Sequence, residues 1–74
     1  MAASTLDVKG LKCPLPVLKV SKAMKALEPG AVLEVFATDP LAVIDIPNFC
    51  NESGNDLVES SQSDGVLFFK IKKT

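Results

Sequence analysis

Between Gly10 and Val17 the chain reads Gly-Leu-Lys-Cys-Pro-Leu-Pro-Val, and across this stretch the spacing of the apolar residues changes. Before it, Leu6 and Val8 alternate with Thr5, Asp7 and Lys9, the period-2 pattern of a strand with one buried face. After it, Val17, Val20, Met24 and Leu27 recur at helical spacing and form one stripe, while Lys19, Lys22 and Lys25 project from the opposite side. A strand must therefore end near Gly10 and a helix begin near Pro14 to Pro16. Proline suits a first helical turn, because its missing N–H would have had no partner within the helix and its φ is already helical. Pro14 and Pro16 thus pin the start of the helix rather than break it.

This placement sets Cys13 at or just before the helix N-cap. Unpaired N–H groups and the positive end of the helix dipole favour an anion there, and a thiolate is such an anion. A helix start and a neighbouring lysine, here Lys12, are settings that lower a cysteine pKa below its free value of roughly 8.5. The sequence alone therefore predicts Cys13 to be an acidic, reactive thiol. The competing reading is a small buried hydrophobe, the usual fate of a free cysteine, and that reading suits Cys50, which lies among Ile46 and Phe49 with no proline-pinned helix start beside it.

The first helix is expected to run to about Leu27 and to stop at Pro29-Gly30. Residues Ala31 to Thr38 read as a strand, with Leu33, Val35 and Ala37 on one face and Val32, Glu34, Phe36 and Thr38 on the other. Strand, helix, strand is a βαβ unit with parallel strands. Asp39-Pro40 reads as the N-cap and first residue of a second helix whose apolar side is Leu41, Val43, Ile44 and Phe49 and which Gly54 ends. Pro47 predicts a bend or a two-part helix, with Asp45 as a second cap. Two strands follow, Asp56 to Ser61 and Val66 to Lys72, joined through Gln62-Ser63-Asp64-Gly65, whose Asp-Gly is a hairpin signal. Leu67, Phe69 and Ile71 form the core-facing set of the last strand.

The order βαβαββ predicts an α/β (α+β) two-layer sandwich, a mixed four-stranded sheet with both helices on one face. Its open face would carry Val32, Phe36, Val66 and Phe68 among Glu34, Lys70 and Lys72, more apolar than a solvent face needs; cross-strand pairing or an associating surface are the two explanations. The 74 residues form a single domain, with residues 1–4 expected as a disordered tail. An apolar fraction of 47% with 23% charged residues is that of a globular chain, and no apolar run approaches the about 18–20 residues of a membrane span. The start lacks the basic and apolar regions of a signal peptide, so the expected compartment is the cytoplasm, with reduced thiols. With no His and only two Cys, the chain lacks the ligands of an N/S-rich zinc site and the Cys-His pair of a protease. No metal and no cofactor is expected. A net charge of −1 and the absence of Tyr and Trp argue against direct nucleic-acid binding. On the lysine side of the first helix, Leu18 stands beside Lys19 and Lys22 and close to Cys13, a candidate docking patch.

Leu6-Asp7, Gly10-Leu11, Cys13-Pro14-Leu15-Pro16-Val17, Pro29-Gly30, Thr38-Asp39-Pro40, Asp45-Ile46-Pro47 and Phe49-Cys50 together resemble the TusA/SirA-type sulfur-carrier family, from about Leu6 to Lys73. The resemblance implies a cytoplasmic protein whose Cys-Pro-x-Pro cysteine, here Cys13, accepts a persulfide sulfur and relays it to another protein. Such a carrier acts with a sulfurtransferase rather than as a stand-alone enzyme. Its donor would be a cysteine desulfurase or a rhodanese, and its acceptor would serve tRNA thiolation, molybdenum cofactor synthesis or sulfur metabolism. Many members carry a His after the second helix, where this chain has Asn55. The alternative function is a non-catalytic regulatory or adaptor module that binds a partner through Lys19, Lys22 and Lys25.

Overall fold

The computed structural model describes residues 3–74. The chain runs β1 (Ala3–Val8), α1 (Leu15–Lys25), β2 (Val32–Ala37), α2 (Ala42–Ser53), β3 (Asp56–Ser63) and β4 (Val66–Lys72), the expected βαβαββ order. The strands make one sheet in the spatial order β1-β2-β4-β3. β1 and β2, joined through α1, are parallel, whereas β4 runs antiparallel to both β2 and β3. Of the tail expected at residues 1–4, Met1 and Ala2 lie outside the described residues. Ala3 and Ser4 instead open β1, opposite Val32 and Leu33, because the parallel ladder extends to them.

The period-2 patterns decide which sheet face is covered. Leu33, Val35 and Ala37 from β2 and Leu67, Phe69 and Ile71 from β4 are buried in one cluster with Val8, with Val20 and Met24 of α1, and with Ala42, Ile46 and Cys50 of α2. Both helices therefore cover the same face. Burying a side chain the size of Ile46 or Phe69 contributes about 1.5–3 kcal/mol, and the largest buried groups lie in the central strands and the facing helix stripes. On the other face Phe36 and Phe68 are cross-strand partners with ring centroids 5.2 Å apart. The Lys9 ammonium sits 5.6 Å from the Phe36 ring centre, and Lys70 lies 4.0 Å from both Glu34 and Glu59. Cross-strand pairs thus shield the apolar residues of that face in part.

The second helix departs from expectation in its start and in its buried face, and it is not divided in two at Pro47. It begins at Ala42, with Leu41 at the capping position, so Asp39 is neither its N-cap nor Pro40 its first residue. The reason is local: Asp39 still accepts the Leu41 N–H (3.2 Å) as a capping side chain would, but Ala42, Val43 and Ile44 bond three residues back to Asp39, Pro40 and Leu41, so a tighter turn precedes the helix, and the other Asp39 oxygen takes the N–H of Cys13. Pro47 lies inside one continuous helix, Ala42–Ser53, rather than dividing it; tertiary packing of the apolar face outweighs the one backbone bond that Pro47 removes. The buried stripe is Ala42, Ile46 and Cys50 at i, i+4 and i+8, whereas Leu41, Val43 and Ile44 are 51%, 50% and 57% exposed. Ala42, Ile46 and Cys50 join the core cluster of the sheet and α1, so this stripe, and not the one carrying Leu41 and Ile44, is the side of α2 that packs inward. Phe49 is half-buried against the same core.

The ends of the elements are tied to one another. Gly10, with φ of +84°, turns the chain out of β1 in a conformation that L side chains rarely adopt, and its N–H donates to Thr38 Oγ1 at 2.9 Å. β3 extends to Ser63, so the hairpin turn is Asp64-Gly65 alone, with φ of 52° and 79°, as the twist of a two-residue hairpin demands. β3 is an edge strand of mostly exposed polar residues, with an irregularity between Leu57 and Glu59, features that discourage further strand addition. Asn55, where the resemblance leads one to expect His in many members, donates to Ser53 Oγ at 3.0 Å and accepts the Thr74 N–H at 3.1 Å, joining the C-terminus to the end of α2.

Candidate functional site

Cys13 is exposed and Cys50 is buried, and neither is in a disulfide. Cys13 lies in a turn that Leu15 N–H closes on the Lys12 carbonyl at 2.8 Å, and Pro14, joined to it by a cis peptide, occupies the N-cap position of α1. Pro16 is buried while Pro14 is exposed, so the two prolines differ: one packs, the other borders the thiol. The first turn of α1 contains no acidic residue and no side-chain cap.

What faces Cys13 is the other helix. Its backbone N–H donates to Asp39 Oδ2, and its thiol donates to Asp45 Oδ2 at 3.0 Å. Asp45 is therefore no second cap of α2; its carboxylate accepts the thiol. These contacts reverse the expected acidity. The hydrogen bond to Asp45, then partial desolvation, then the negative charges of Asp45 and Asp39 raise the Cys13 pKa above that of an ordinary thiol. Lys12, expected to oppose this, is exposed and forms no ion pair among the described residues. The helix-start argument fails because the Cys13 N–H and Sγ both turn toward carboxylates on the segment from Asp39 to Asp45. Cys50 also has a raised pKa, but from burial.

Cys13, Pro14, Val17, Asp45, Asn48, Phe49 and Glu52 line an open groove between the two helices. Leu18, Lys19 and Lys22 stand exposed on α1, as their periodicity predicts, with Leu18 57% accessible. Leu15, Leu41 and Ile44 add further exposed apolar surface at the helix starts. Among the described residues no group of three His, Cys, Asp or Glu is arranged to hold a metal ion. No described helix is long and apolar enough to cross a membrane. The partners that sequence reasoning missed are Asp39 and Asp45. Both stand in the segments that carry the resemblance, Thr38-Asp39-Pro40 and Asp45-Ile46-Pro47, but helix-capping rules gave them a local role.

Residues 4–73 match the family model described as Sulfurtransferase TusA. The sulfur carrier protein TusA of Allochromatium vinosum is 46% identical over 69 residues, covering 93% of this chain and 91% of that protein. The sulfur carrier protein TusA of Pseudomonas paraeruginosa is 43% identical over 68 residues, covering 92% of this chain and 86% of the relative. The crystal structure of a SirA-like protein from Desulfitobacterium hafniense superposes with a TM-score of 0.82 at 27% identity, over 93% of this chain and 95% of that one. Sequence and fold agree over almost the whole length, and the chain belongs to the TusA family.

Proposed function

We propose that this protein is a sulfur carrier in which Cys13 takes a sulfane sulfur from a persulfide donor and passes it to an acceptor protein. The observation that carries this reading is the contrast between the two thiols: Cys13 opens onto a groove at the surface, and Cys50 is enclosed in the core. Of the two thiols only Cys13 is exposed, which supports its meeting a sulfur on another protein. The names of the relatives, sulfur carrier proteins, support the same role. In the transfer the Cys13 sulfur attacks the outer sulfur of a donor persulfide, R–S–SH. A bond forms from Cys13 Sγ to that sulfur, the donor S–S bond breaks, and its electron pair leaves with the donor thiolate, which takes up the proton released by Cys13. No net oxidation occurs, and the step is related to thiol–disulfide exchange.

Pro14 and Pro16 support the carrier by holding the thiol at the start of α1. Leu18, Lys19 and Lys22, with Lys12 nearer the thiol, are the proposed docking surface for a donor such as a cysteine desulfurase or a rhodanese and for the downstream acceptor. The test is the intact mass of the protein after mixing with a rhodanese and thiosulfate. The expected result is a gain of one sulfur that Cys13→Ser abolishes and Cys50→Ala retains. Loading of the Cys13→Ser variant would overturn the reading.

A further inference from the structure

The carboxylate facing Cys13 has a consequence for when the thiol reacts, given the sulfur-acceptor reading on which this inference rests. Asp45 sits in the first turn of α2, half-buried, and its Oδ2 lies 3.0 Å from Cys13 Sγ, so that the thiol hydrogen points at a carboxylate. A second carboxylate, Asp39, takes the N–H of Cys13 and fixes the turn that aims it. Glu52, one helix face along α2, lines the same groove. The charged groups about the sulfur are thus Asp39 from the β2–α2 connection and Asp45 and Glu52 from α2, with Lys12 the one basic neighbour in the chain, exposed and unpaired among the described residues. A nucleophile so placed is held in its protonated form by the group that accepts its proton in a hydrogen bond.

We propose that Asp45 is a positioning residue that keeps Cys13 as a thiol in the free protein, and that a cationic side chain of the sulfur donor, by pairing with Asp45 in the groove, releases it for transfer. Engaging Asp45 with a cation removes the acceptor and replaces a negative field beside the sulfur with a positive one, both of which favour the thiolate. The partner's chemistry follows from the transfer itself: a donor that stabilises a persulfide anion or a thiolate leaving group carries positive charge beside its own sulfur. That charge meets the acidic groove when the two sulfurs approach. The device favours attack in the docked complex and leaves the free carrier slower toward adventitious electrophiles.

The test uses the full chain with Asp45→Asn, which keeps the side-chain shape, and Asp45→Glu, which keeps the charge. Iodoacetamide alkylation of Cys13 is followed across pH by peptide mapping, with thiolate ultraviolet absorbance as a second measure of the same titration. Asp45→Asn is expected to move the midpoint down by about one pH unit and to speed labelling at pH 7 about tenfold, with Asp45→Glu staying closer to the parent. An unchanged or higher midpoint in Asp45→Asn overturns the hold on the thiol. Persulfide formation on Cys13 is then measured from glutathione persulfide, which brings no protein cation, and from a rhodanese loaded with thiosulfate. Asp45→Asn should gain several-fold with the small donor and lose that gain, or fall below the parent, with the protein donor. An equal gain with both donors overturns the role of a partner cation. If neither donor loads the parent or the variant while the alkylation shift is present, the hold by Asp45 stands and the sulfur-carrier reading fails.

Discussion

Exposure separates the two cysteines and acidity does not. Carboxylates raise the pKa of Cys13 and burial raises that of Cys50, so each is mostly thiol at neutral pH. Access then decides the order of reaction: Cys13 is expected to alkylate faster than Cys50 at every pH at which the fold is intact, with a midpoint above that of a free thiol. Peptide mapping over pH 6 to about 10 checks both statements, and faster labelling at Cys50 would contradict them. Raised thiol pKa values also bear on stability. Above the unfolded-state value of roughly 8.5, the unfolded chain releases a proton that the folded protein retains. Stability from this source is therefore complete below that pH and is lost as the pH rises through the folded values. Denaturation midpoints measured between pH 7 and 10 should fall more steeply for the parent than for Cys50→Ala.

Within the elements, α2 offers a direct contrast between two isoleucines two residues apart. Ile46 is fully buried and Ile44 is 57% exposed. Ile46→Ala should cost about 2–5 kcal/mol through lost transfer energy and a cavity, whereas Ile44→Ala should stay within about 0.5 kcal/mol. Urea unfolding of the two variants measures the difference, and similar costs would mean that the wrong face of α2 has been assigned to the core. In α1, Pro16 both restricts the unfolded chain and packs in the interior. Pro16→Ala is expected to cost about 1–2 kcal/mol from those two sources and to slow sulfur loading of Cys13 by loosening the turn before it.

At the level of the whole molecule, charge is arranged unevenly around the thiol: Lys19 and Lys22 stand on α1, and Asp45 and Glu52 line the groove beside it. A carrier has to dock briefly and leave, which favours a small contact steered by charge. Reversing Lys19 and Lys22 to Glu should lower the association rate with an acidic donor or acceptor and flatten its dependence on salt, with little change in the alkylation of Cys13. Reversing Lys70 and Lys72 on the open sheet face should slow docking less, although losing the contacts of Lys70 with Glu34 and Glu59 removes weak surface pairing. Stopped-flow transfer rates over a range of salt separate the two surfaces, and an equal loss from both would move the docking site elsewhere.

Local pattern was sufficient for most of the fold. The period-2 runs marked the buried faces of β1, β2 and β4, the Asp64-Gly65 pair marked the hairpin, and Pro14 to Pro16 marked where α1 begins, because each of these is a property of neighbouring residues along one element. The same local rules misplaced the start and inner face of α2, where two apolar stripes compete and only packing into the shared core selects Ala42, Ile46 and Cys50. They also misjudged Cys13. Its position before α1 was legible, but its acidity depends on Asp39 and Asp45, which are distant in sequence and reach the thiol only when α2 packs beside α1. Local sequence determined where the thiol stands in the chain; tertiary structure decided which charges face it, because electrostatic fields follow distance in space rather than along the backbone.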